Sequence, residues 1–276
     1  MTSTASVEVD SCCAGAEPAR TMPDARRFFG VCALLFAASA VATVMLHGSM
    51  SSMAATPMAG GWSLSMAWAP MCGQTWAGAV ASFVGMWVVM MVAMMLPSIA
   101  PALWRYRVAA DGTPAASSLT VLVATAYFLV WALLGLAAFA VGATLAAFAM
   151  QWPALARVMP TMAGTVVLAA GALQFTAWKA RLLAGCRHSA ARTSSADAGS
   201  AWRHGLRLGL HCIQCCAGVT ASLAAIGVMD LGAMAVATVA ISAERLAPAG
   251  ERVARLIGAL GIGAGAWLIA RGTGLA

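Results

Sequence analysis

The chain has 276 residues, 62% of them hydrophobic and only 9% charged, with a net charge of +7. Soluble domains carry roughly 25% charged residues, so a water-soluble core is excluded. The excess of Lys and Arg is better explained by the flanks of membrane helices than by nucleic acid.

Residues 1–27 contain Glu8, Asp10, Glu17, Pro18, Pro23 and Asp24, show no apolar face, and read as a disordered cytoplasmic tail bearing the vicinal pair Cys12–Cys13. From residue 28 to 273 the reading is an all-α transmembrane bundle. No Asp, Glu, Lys or Arg occurs from Phe28 to Trp104, from Ser118 to Leu155, from Val158 to Trp178 or from Leu208 to Met229. Stretches of roughly 20 such residues span a bilayer core as helices. Spans are expected at 28–46, 76–98, 119–148, 160–178, 205–227, 230–246 and 253–270, which makes seven helices. The sixth is the weak one, because only Leu231 to Ala243 is free of charge, and a six-helix bundle is the alternative. With seven spans, all but Arg157 and Arg271 of the 16 Lys and Arg residues fall on one side. The positive-inside rule then sets the N-terminus in the cytoplasm and the C-terminus outside.

Between the first two spans, the uncharged outer loop 47–75 is rich in methionine. Met45, Met50, Met53, Met58, Met66 and Met71, with His47 and Cys72, either collect a soft metal ion or reflect biased composition; thioethers need no deprotonation to bind one. The second span carries Met90, Met91, Met94 and Met95 just before Pro97. Met91, Met94 and Met95 share a helix face, as ligands or as the adaptable packing that methionine supplies. Gln174 lies near the inner end of the fourth span, as a bridge between helices or as a partner to a ligand. The basic loop 179–203 reads as a mobile connector and holds Cys186 and His188. In the fifth span, GLHCIQCC sets Cys212, Cys215 and Cys216 at i, i+3 and i+4, on one helical face, with His211 adjacent. Three thiols so aimed suit a thiophilic ion, Cu(I) or Zn(II). Glu244 is an ionisable group at the membrane boundary, a functional candidate by default, with neighbouring Arg245 offering it a plain structural role. Gly258, Gly261, Gly263 and Gly265 in the last span suit close helix packing in lipid.

Two blocks resemble the bacterial domain of unknown function 2182 family of metal-binding integral membrane proteins, which implies a place in a bacterial inner membrane. One is WVVMMVAMMLPSIAP, Trp87 to Pro101. The other runs from QFTAWK, beginning at Gln174, through Cys186 and GLHCIQCC to Pro248. The resemblance covers most of residues 76–265 and implies metal binding at Cys212, Cys215, Cys216, Met91, Met94 and Met95. Gln214 and Ala217 depart from the family's usual glycine and tryptophan, and Ala177–Trp178 from a proline-containing pair, which bears on local packing.

The expected function is therefore binding, delivery or passage of a thiophilic ion, Cu(I) foremost, between the bilayer and a donor or acceptor protein. A membrane thiol–disulfide oxidoreductase and a subunit of a larger complex without chemistry of its own are the alternatives. No phosphate loop or hydrolase motif is present.

Overall fold

The computed structural model describes residues 21–51, 56–58, 62–64, 68, 73–110, 115–188, 197–227 and 230–273. Among these residues the chain forms α1 (Thr21–Ser51), α2 (Trp76–Ala109), α3 (Ala116–Gln151), α4 (Pro153–Leu173), α5 (Ala177–His188), α6 (Ala198–Ile226), α7 (Leu231–Leu246) and α8 (Gly250–Gly272). Between α1 and α2 lies a small antiparallel hairpin, β1 (Thr56–Met58) with β2 (Trp62–Leu64).

Six helices, α1, α2, α3, α4, α6 and α8, are long and apolar enough to cross a membrane. Their outward faces carry Leu34, Leu133, Val166 and Leu260 exposed, as a multi-pass membrane protein requires where lipid replaces water. The region expected as the sixth span is α7, whose 16 residues fall short of that length. Asp230 ends it by accepting a hydrogen bond from the Ala233 backbone N–H, an N-cap that fixes where the helix can begin. Val236 and Val239 of α7 are nonetheless about as exposed, at 70% and 68%, as any apolar side chain in the bundle.

Several helices run past their expected ends. α1 begins at Thr21, inside the expected tail. α2 continues through Pro97 and Pro101 to Ala109, where the sequence suggested a stop; proline is tolerated within membrane helices because neighbouring groups take up the backbone bonds it disturbs. The expected fourth span breaks after Leu173, with Gln174 as C-cap, and restarts as α5. Much of the expected loop 179–203 is therefore helical.

Close approaches at glycine fix the packing. A Cβ on Gly171 would lie 2.7 Å from Ile262 N, and one on Gly265 2.5 Å from Leu168 N. Gly258 and Gly261 also meet α4, whereas Gly263 faces open space. Gly258 adjoins Gln174 and Gly272 adjoins Thr161, so α4 and α8 are antiparallel. Gly205 meets Val123 and Gly209 meets Tyr127 and Val130, so α3 and α6 are parallel. Gly135 leaves room for the Trp87 indole, whose Nε1 donates to the Trp131 carbonyl at 2.9 Å. Phe28 packs on Trp104, and Tyr106 on His204. These contacts gather the starts of α1 and α6 and the end of α2 at one end of the bundle.

Candidate metal centre

Cys212, Cys215 and Cys216 are all buried, on the face of α6 turned into the bundle, together with Met90, Met91, Met94 and Met95 of α2. The two sulfur-bearing segments thus share one core instead of facing lipid. A helix repeat of 3.6 residues explains why: Cys212 and Cys216 stack one turn apart on the stripe that also carries Gly205, Leu208 and Gly209 against α3.

Cys212 and Cys216 form a close pair of thiols, with Sγ to Sγ 3.9 Å. Two thiolates bound to one ion at about 2.3 Å each stand about 3.8 Å apart in a tetrahedral arrangement and about 4.0 Å in a trigonal one. The pair has the spacing of an ion clip. Cys216 also lies within interaction range of Cys215. Among the described residues, however, no group of three or more His, Cys, Asp or Glu side chains is disposed around one ion. A complete coordination shell here would need donors outside that set, and the buried methionines of α2 belong to the same core.

Around Cys212 stand two polar side chains that the sequence reading did not assign to it. Tyr127 of α3, fully buried, donates its hydroxyl to Cys212 Sγ at 3.0 Å. Arg245 of α7 donates from one guanidinium nitrogen to Cys212 Sγ at 2.9 Å and to Ser98 Oγ at 3.2 Å. Ser98 in turn donates to the Met95 carbonyl at 2.9 Å and lies one turn beyond Met94 and Met95 on α2. Arg245 therefore joins the thiol and methionine helices, and a thiolate at Cys212 would meet its counter-charge there.

A second polar cluster braces the site from behind. Lys179 Nζ donates to Glu244 Oε2 at 2.7 Å and to the Cys215 carbonyl at 2.6 Å, while Gln174 Nε2 donates to Glu244 Oε1 at 2.8 Å. Lys179 and Glu244 are only 4% and 1% exposed. The sequence offered Arg245 as Glu244's partner, but consecutive helical residues point about 100° apart and do not face each other; Glu244 turns to Lys179 and Arg245 to Cys212. Both cations are expected from the sequence among the charges of the cytoplasmic flank.

The remaining candidates lie elsewhere. His211 Nε2 donates to the Leu182 carbonyl at 2.9 Å, which directs it to α5. Cys186 and His188 sit on α5, Met50 on α1 and Met58 on β1, but their side chains fall outside the described part; Met53, Met66, Met71, Cys72, Cys12 and Cys13 lie outside the described residues altogether. Met45 is 70% exposed. The signals for the missed residues were modest. Tyr127 is the one hydroxyl-bearing ring in an otherwise apolar span, and a buried Tyr O–H generally finds a partner. For Lys179 and Arg245 nothing in the sequence distinguished them from their basic neighbours.

The model of the PpoB2 family, described as a copper chaperone, matches residues 84–268, more than half of the chain and all the side chains of both clusters. No curated protein and no solved structure matches.

Proposed function

The chain belongs to the PpoB2 copper chaperone family, and from that premise we propose that it carries Cu(I) inside the membrane on Cys212 and Cys216. A methionine thioether of the 91–95 face of α2 completes the shell, and Cys215 stands by as an exchange ligand. The observation that carries this reading is the buried 3.9 Å thiol pair with Arg245 donating to one of its sulfurs.

Charge favours the monovalent ion. In a low-dielectric interior an uncompensated charge is costly. Two thiolates and Cu(I) sum to one negative charge, which the Arg245 guanidinium offsets, while Lys179 and Glu244 compensate each other. Zn(II) in the same clip would leave a net positive charge. Soft thiolate and thioether donors also suit Cu(I). The role is custody and hand-over: the ion is received from, and passed to, donor and acceptor molecules by ligand exchange, with no change of oxidation state.

The test is metal content of the purified full-length protein after anaerobic loading with Cu(I). The wild type should hold one ion, and Cys212→Ser or Cys216→Ser should lose it, with Cys215→Ser impaired less. Unchanged copper in the Cys212→Ser, Cys216→Ser double variant, at preserved folding, would remove the basis for this assignment.

A further inference from the structure

A cavity of about 480 Å³ opens at the end of the bundle where α1 starts and α7 meets α8. Phe29, Trp104 and Pro248 form walls, Arg105 stands at its rim, and Ser98 and Arg245 lie within its lining, in which no carboxylate occurs among the described residues. Arg245 is also the residue that touches Cys212 Sγ. The cavity therefore leads from the bundle's end to the guanidinium that covers the thiol clip.

We propose that this cavity is the port through which copper reaches Cys212 and Cys216, and that it admits the metal as an anionic Cu(I)–thiolate complex of a small carboxylate-bearing thiol. The inference rests on the clip being the copper site. Two arginines repel a bare monovalent cation and attract its bis-thiolate complex, which is anionic before any carboxylate is counted. Apolar walls of Phe29, Trp104 and Pro248 exclude water and suit the softer sulfur end of the carrier. The exchange balances without redox chemistry. Two Cu–S bonds to the carrier break and two form to Cys212 and Cys216, with the methionine thioether adding as a neutral donor; the two protons leaving the cysteine thiols go to the departing carrier thiols, and copper remains Cu(I). Arg245 then faces the complex in its new position with the charge it already compensated in the port.

The experiment measures initial rates of copper loading into full-length protein in detergent, under anaerobic conditions, from Cu(I)–mercaptosuccinate and from Cu(I)–cysteamine, whose complex is cationic. Arg105→Gln should slow loading from mercaptosuccinate by about 3- to 10-fold, leave cysteamine loading unchanged or faster, and lose its effect at high salt. Final bound copper, read on each sample, separates the site from its access. Equal rates for both proteins with both carriers overturn the port while leaving the clip intact. A wild type that retains no copper from either carrier overturns the clip and the port together. Anionic phospholipid retained by the wild type and lost by Arg105→Gln, with loading rates equal, would assign the cavity to a lipid headgroup instead.

Discussion

Lys179, Glu244 and Gln174 tie three helices to the backbone of the cysteine segment, since Lys179 reaches the Cys215 carbonyl as well as the Glu244 carboxylate. Breaking a buried ion pair from one side costs more than removing both partners, because a lone charge is left without water or counter-ion. Lys179→Met and Glu244→Leu should each lower stability by about 3 kcal/mol, and the double variant should recover much of the loss. Thermal unfolding in detergent, followed by size-exclusion fluorescence, reads all three. Single variants as stable as wild type would show that the pair does not brace the site. At this scale the sequence places the three cysteines on one helix face but not what surrounds them. Three cysteines at i, i+3 and i+4 announce themselves by spacing alone. Tyr127 and Arg245 acquire meaning only because α3 and α7 are brought to the same side of α6.

The helices themselves were largely legible, because charge-free stretches longer than a bilayer leave little else for the backbone to do. Their ends were less so. Pro97 looked like a stop for α2, yet the helix persists to Ala109; Gln174 looked like the interior of a span, yet it caps α4 and lets α5 bring Lys179 back toward α6. Glycine in the last span divides by contact. Gly265 packs against the α4 backbone, and Gly263 on the same helix faces open space. Gly265→Ala should therefore destabilise the α4–α8 pair, since its Cβ has backbone to displace, whereas Gly263→Ala should be neutral or stabilising by up to about 1 kcal/mol through helix propensity. Comparing the apparent melting temperatures of the two variants checks this, and equal shifts would contradict the packing.

The whole molecule turns on α7. It is too short to count as a span by length, but it runs back along α6 and brings Glu244 and Arg245 to the level of the cysteines. Because α8 then runs antiparallel to α4, the starts of α1 and α8 lie at one end of the bundle and the C-terminal end of α8 at the other. With the N-terminus cytoplasmic, as the distribution of Lys and Arg leads us to propose, a reporter fused after Ala276 should be exported: alkaline phosphatase active there and a fluorescent protein dark. The opposite pair of results would invert this orientation. By itself the sequence determined the membrane class, most of the helices and the thiol and thioether faces, because these follow from local hydrophobicity and a 3.6-residue repeat. Which charge meets which partner and how deep α7 reaches were decided by tertiary structure. Those depend on how helices distant in sequence are set against one another, and glycine contacts a few ångströms across fix that arrangement.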